Sequence, residues 1–157
     1  MAYQKIIYEQ LKSYLYALYG ITNQDHDSLQ FHDLLSFRAI SLTLFHAVLN
    51  QYRFRDVNYT ALTDSEIILH LLYEDAGEII PAPGQVSLSL VLKILEPRLQ
   101  RVLHSTDSEF QALVADMYSH FEKHMKVPLQ FCVNIPVLRE LEWDDLPNNL
   151  FSLTPYS

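Results

Sequence analysis

The chain has 157 residues, of which 49% are hydrophobic and 19% are charged, and its formal net charge is −8. These values predict one domain with a sizeable core and a surface poor in charge. They argue against ordinary nucleic-acid binding, because no stripe of Lys and Arg is present to displace counterions from phosphates. The basic residues that do cluster form two small pairs, Arg53 with Arg55 and Arg98 with Arg101.

Hydrophobic periodicity predicts a first helix over 3–19. Residues 29–53 then predict a helix that is apolar around most of its circumference, with a narrow polar strip at Ser36, Thr43 and Asn50. A helix of this kind belongs in the middle of a bundle, with neighbours on several sides. It therefore indicates the architecture without indicating an activity.

Further helices are predicted after the central one. A capping box begins a helix over 64–76. Residues 87–95 favour another helix, although the overlapping sequence VSLSLVL also alternates like a strand. Pro97 either kinks that helix or begins a separate one that ends near His104, and a last helix is predicted over 106–126.

The C-terminal part of the chain, 127–157, is broken by prolines but remains apolar, so it is too hydrophobic for a disordered spacer. Either it wraps over the bundle or it docks on another protein. Trp143 and Leu146 lie among acidic residues, which is typical of a short docking segment, whereas the alternative is that Trp143 packs on its own bundle. We therefore predict a single all-α domain of five or six helices, with a helical core over 1–126 and an irregular C-terminal wrap.

Arg38 falls near the centre of the apolar arc of the central helix. A guanidinium group keeps its charge, so its burial requires a carboxylate or several carbonyl acceptors. The favoured interpretation is a buried ion pair or carbonyl cap that fixes packing. There are two alternatives: Arg38 forms a site for an anionic ligand, or its side chain reaches the surface.

Histidines offer a second hypothesis. Asp116, His120 and His124 recur at every fourth position of the last predicted helix, and His46 on the central helix is a further candidate metal ligand. The set His46, His120 and His124 resembles that of the DinB-type metal-binding bundles, in which one early His joins a late His pair. This resemblance implies a metal-binding bundle or a small metal-dependent enzyme. The basic, glycine-containing stretch that follows the pair in that family is absent from 125–128, so no family is assigned.

The leading hypothesis is a non-enzymatic helical adaptor, chaperone-like subunit or accessory component of a larger assembly. It rests on the abundance of tyrosine, the apolar C-terminal part, and the lack of a recognisable nucleophile or phosphate-binding loop. We expect a cytoplasmic protein with no cofactor and no membrane span, because the single Cys132 excludes an internal disulfide and no signal peptide or long apolar run is present. The expected partner is another protein, and self-association is left open. The candidate contact residues are Tyr3, Tyr8, Tyr16 and Tyr19, on the far side of the first helix, together with Trp143 and Leu146.

Overall fold

The computed structural model describes residues 3–20, 29–77, 86–104, 110–113, 115 and 139–153. None of these residues lies in a strand, and the predicted all-α bundle is confirmed. The α-helices are α1 (Tyr3–Tyr19), α2 (Leu29–Arg53), α3 (Asp64–Ala76), α4 (Leu88–Ile94) and α5 (Glu96–Leu103). Short 3-10 turns span Val57–Tyr59 and Trp143–Asp145, and residues 110–113 and 115 belong to a further helical segment. In these described segments no helix combines the length and the apolarity that a bilayer crossing requires.

Helix α2 lies at the centre of the bundle, as its apolar pattern predicts. Every position from 34 to 49 is buried except the half-buried Ser36. Helices α1, α3 and α5 all pack against α2. Even Thr43, from the predicted polar strip, is fully buried, and its hydroxyl donates to the carbonyl of Ala39 at 2.6 Å. The helix therefore satisfies this polar group internally, which allows neighbours on that side as well.

Helix α3 has the predicted ends. The hydroxyl of Thr63 accepts a hydrogen bond from the Glu66 amide at 3.3 Å, which satisfies one of the amides that have no partner within the helix. The Glu66 carboxylate in turn accepts from the Thr63 hydroxyl at 3.1 Å. At the other end Gly77 has φ 70°, a left-handed conformation that glycine adopts without the penalty of a Cβ.

The segment with the ambiguous alternating pattern is helical. Ser87 caps α4, since its hydroxyl accepts from the Leu90 amide at 3.2 Å. The helix ends at Ile94, and α5 begins at Glu96 with Pro97 in its first turn. Of the two roles considered for Pro97, the structure has the start of a separate helix, because a proline in the first turn removes no intrahelical hydrogen bond.

We call residues 139–153 the C-terminal segment. It wraps over the bundle, as one of the two alternatives predicted, and it buries Leu141, Trp143, Leu146 and Phe151 in the common core. The predicted helix over 106–126 is described only at 110–113 and 115. Phe110 and Leu113 are buried there, and the remainder of this prediction lies outside the described residues.

A buried carboxylate attaches the end of the C-terminal segment to the start of α3. Asp64 accepts hydrogen bonds from the amide of Ser152 at 2.6 Å and from the guanidinium group of Arg53. The amide of Asp64 donates to the carbonyl oxygen and to the hydroxyl of Ser152, both at 3.1 Å. This arrangement pairs the buried charge and joins three parts of the chain.

Candidate functional site

Arg38 is completely buried, so its side chain does not reach the surface. Its Nη1 donates to the backbone carbonyl of Arg139 at 2.9 Å and to the hydroxyl of Tyr19. The guanidinium group also lies 5.1 Å from the centroid of the Tyr19 ring. These contacts fit the carbonyl-cap interpretation, in which the buried charge fixes packing between α1, α2 and the C-terminal segment.

The contacts of Arg38 continue into the C-terminal segment through Arg139. The Arg139 guanidinium group donates to the Asp145 carboxylate at 2.7 and 3.0 Å, and its carbonyl accepts from the Tyr19 hydroxyl at 3.3 Å. The hydrogen bonds from Arg139 hold the pKa of Asp145 below its usual value, and the Glu142 amide adds to this effect. Burial raises the pKa of Tyr19. This cluster holds the C-terminal segment on the bundle.

The four tyrosines of α1 that were expected to contact a partner do not share one exposed face. Tyr3 is 52% exposed, and its ring centroid lies 6.4 Å from that of His46. Tyr8, Tyr16 and Tyr19 are partly buried and pack against the core. The expected far-side position is therefore wrong for these three, because a tyrosine ring is long enough to reach the core from the flank of a helix.

Trp143 and Leu146 are both buried in the core, so they are not exposed contacts in this structure. The indole Nε1 of Trp143 donates to the carbonyl of Val86 at 2.8 Å. Nearby, the Glu140 carboxylate accepts from the Ser89 hydroxyl at 2.6 Å. The prediction of an exposed docking segment is corrected accordingly: the apolar side chains of this segment gain more by packing on their own bundle.

His46 is buried between aromatic rings, with its ring centroid 5.6 Å from that of Phe151. Burial lowers the pKa of this imidazole. The other proposed metal ligands, His120 and His124, lie outside the described residues. The residues that the structure describes contain no group of three or more His, Cys, Asp and Glu side chains that is suited to a metal ion. The hypothesis of a metal at His46, His120 and His124 stays a prediction.

A groove that the sequence reasoning missed lies between the end of α2 and α5. Its volume is about 360 Å³, within the range of roughly 300–1,000 Å³ that is typical of ligand pockets. We call it the arginine groove, because three of the seven lining residues that the structure describes are arginines and none of those seven is acidic. The lining residues are Val48, Gln51, Tyr52, Arg55, Arg98, Arg101 and Val102.

One arginine of the groove is held firmly by two carboxylates of α3. Arg98 donates from Nε to Asp75 at 2.7 Å and from Nη2 to Glu74 at 2.6 Å. The hydrogen bonds that Arg98 donates to Asp75 raise the pKa of its guanidinium group above the usual value. Arg98 therefore forms a fixed wall of the groove.

The other two arginines are more exposed. The side chain of Arg55 is 60% exposed, and its Nη1 lies 3.7 Å from Glu74, which is longer than an ordinary hydrogen bond. Its guanidinium group lies 5.5 Å from the centroid of the Tyr52 ring. Arg101 is exposed, and its Nε donates to the carbonyl of Pro97 at 3.3 Å. Glu74 and Asp75 both pair with Arg98, and Glu74 also lies near Arg55, so two carboxylates stand against three guanidinium groups and an excess of positive charge is left.

Large apolar side chains are exposed beside this groove. Phe54 and Val57, which flank Arg55 in the connection between α2 and α3, are 73% and 80% exposed. They are the most exposed of the large hydrophobic residues that the structure describes, the others being Tyr3, Ile6, Tyr73 and Leu90. Exposed apolar groups next to charged ones are characteristic of protein interaction sites.

The sequence contained a weak signal for this site. The two basic pairs of the sequence supply the three arginines of the groove, which are Arg55, Arg98 and Arg101. The fourth member of these pairs, Arg53, forms an ion pair with Asp64 instead. Comparisons with protein-family models, with curated proteins and with solved structures gave no match for this chain.

Proposed function

We propose that this chain is a non-enzymatic helical adaptor, chaperone-like subunit or accessory component that works by binding another protein. The observation that carries the proposal is the exposure of Phe54 and Val57 next to the arginine groove. Burial of one such side chain against a partner contributes about 1.5–3 kcal/mol, so two adjacent ones provide a useful anchor.

The connection that presents these side chains is well ordered by local contacts. The Asp56 carboxylate accepts from the Asn58 amide at 2.9 Å, and the Thr60 hydroxyl donates to the Val57 carbonyl at 2.8 Å. The Tyr59 ring stacks on the buried Tyr52 ring, with centroids 5.1 Å apart. A preorganised loop loses less conformational entropy on binding, which favours association.

Photo-crosslinking tests this proposal directly. A benzophenone amino acid is placed at position 54 or 57, and at position 93 as a control, because Lys93 is exposed but lies on α4, which is not one of the helices that this connection joins. In cells of the native host we expect one heterologous protein to be crosslinked from 54 and 57, and not from 93. Crosslinking of the same mixture of proteins from all three positions would contradict the proposal. A product with the mass of two copies of this chain would identify self-association instead.

Matched substitutions strengthen this test. Phe54→Ser with Val57→Ser should abolish recovery of the crosslinked partner, because the apolar anchor is lost. Leu90→Ser is the control, since Leu90 is also exposed but lies on α4. Both variants should keep the parent circular dichroism spectrum, because exposed substitutions change stability by only about 0.5 kcal/mol. Unchanged recovery with the double variant would argue against the proposal.

A further inference from the structure

We infer that the arginine groove binds an acidic segment of the partner protein, and that Phe54 and Val57 contact an apolar side chain of the same segment. This inference rests on the proposed function, because the segment belongs to the protein that the chain binds. The ligand class is a short peptide in which carboxylate side chains lie next to a large apolar one.

The charge of the groove selects for carboxylates. The chain carries a net charge of −8, yet this groove is lined by three arginines. A guanidinium group offers five N–H donors in a planar fork that matches a carboxylate. The 3.7 Å separation between Arg55 and Glu74 and the exposure of Arg101 leave both side chains able to donate to an incoming ligand.

The apolar residues of the lining suit a peptide that also carries apolar side chains. Val48 and Val102 supply aliphatic surface to the lining, and the buried Tyr52 adds an aromatic ring. A hydrogen bond of 3.1 Å joins the Tyr52 hydroxyl to Nδ1 of His70, so the ring is fixed. Tyrosine and arginine side chains are enriched among the hot-spot residues that contribute most of the binding energy in protein interfaces.

The surrounding charge argues against a nucleic acid in this groove. A long polyanion would extend past the three arginines onto a surface whose net charge is negative, where it would be repelled. An acidic peptide of a few residues needs only the local excess of positive charge. We therefore favour the peptide.

The test uses the full-length chain and a displayed library of random short peptides, from which enriched peptides are synthesised with a fluorescent label. We expect enrichment of Asp and Glu next to an aromatic or leucine residue. Replacement of Asp and Glu by Asn and Gln in the enriched peptides should weaken binding by at least about tenfold, because charge-assisted hydrogen bonds are lost. Equal binding of the acidic and the amide peptides would overturn the inference.

A matched pair of charge variants locates the site. Arg55→Gln with Arg101→Gln should raise the dissociation constant of the acidic peptides by at least about tenfold. The control, Lys5→Gln with Lys93→Gln, removes the same charge from exposed positions on α1 and α4 and should change it less than about twofold. If both double variants weakened peptide binding equally, the net charge of the chain and not this groove would explain the binding, and the proposed site would be wrong. Displacement of the peptides by inorganic phosphate at comparable concentration would indicate a small-anion site, and would overturn it too.

The outcome is separable from that of the proposed function. If crosslinking from positions 54 and 57 finds a partner but the arginine variant still binds it fully, the proposed function stands and the acidic segment is wrong. If the acidic peptides need Arg55 and Arg101 but no protein is crosslinked from 54 or 57, the groove binds acidic peptides and the adaptor role fails.

Discussion

The buried Arg38 and the exposed Arg55 and Arg101 place the same chemical group in two opposite environments. Arg38 is surrounded by its own protein and donates to Tyr19 and to the carbonyl of Arg139. The groove arginines stand at the surface, one with a long ion pair and one with a backbone contact. The difference teaches that burial decides the role. The buried guanidinium group contacts the C-terminal segment of its own chain, whereas the exposed ones lie at the surface, where we propose that a partner binds.

The largest effect is expected where the C-terminal segment enters the core. Phe151 is buried, and its ring stacks on that of Phe45 with centroids 5.9 Å apart. Phe151→Ala should lower the free energy of unfolding by about 3–5 kcal/mol, because it leaves a cavity. Urea denaturation measures this. The control Phe54→Ala, at a position 73% exposed, should cost less than about 0.5 kcal/mol. Equal costs for the two variants would contradict the packing of the segment.

A slightly smaller effect is expected at the buried arginine. Arg38→Met keeps most of the apolar stem but removes the donor to the Tyr19 hydroxyl and the Arg139 carbonyl. We expect a loss of about 3 kcal/mol of stability, because buried acceptors lose a charged donor. Hydrogen exchange should also show increased exchange at 139–153. A stability equal to that of the parent chain would mean that Arg38 does not hold this segment.

A pH-dependent effect on stability is expected at His46, which is buried like Arg38. Burial lowers its pKa from 6.5, although the charge of Asp64 and a hydrogen bond with the Leu150 backbone oppose this shift. His46 therefore binds a proton more readily in the unfolded chain than in the folded one. Its contribution to the free energy of unfolding is complete above pH 6.5 and decreases as the pH falls below that value. Unfolding curves of the parent chain and of His46→Gln should converge as the pH is lowered. Parallel profiles would contradict this assignment.

The smallest effect on stability is expected in the arginine groove. Arg55→Gln with Arg101→Gln should change the free energy of unfolding by less than about 0.5 kcal/mol, because both side chains are exposed and the one ion pair that they form within the described residues, from Arg55 to Glu74, is long. Thermal unfolding measures it. A loss as large as that for Arg38→Met would show that these arginines are structural, and the contrast between the two regions would disappear.

Local chemistry made several features predictable. The apolar circumference of 29–53 indicated a central helix, and positions 34–49 are buried on nearly every side. Thr63 and Gly77 indicated the ends of α3 because their side chains and conformations act within a few residues. The same wheel placed Arg38 in the apolar arc, where a buried charge requires acceptors.

Contacts between distant parts of the chain were not predictable. The identity of the acceptors of Arg38 depends on a carbonyl 101 positions away, and the burial of Trp143 depends on a contact with Val86. The aromatic and acidic composition around Trp143 is compatible with a docking segment or with a packed wrap. Only the position of the segment on the bundle distinguishes the two.

By itself the sequence determined the first three helices, the caps of α3 and the central position of α2, because these follow from hydrogen bonds within a few residues and from a short hydrophobic repeat. The tertiary structure alone decided where the C-terminal segment lies and which arginines share a groove. The packing of α5 on α2 brings Arg98 and Arg101 close to Arg55. Arg53 does not line the groove, because it forms an ion pair with Asp64. Such a selection depends on side chains far apart in the chain, and no local pattern encodes it.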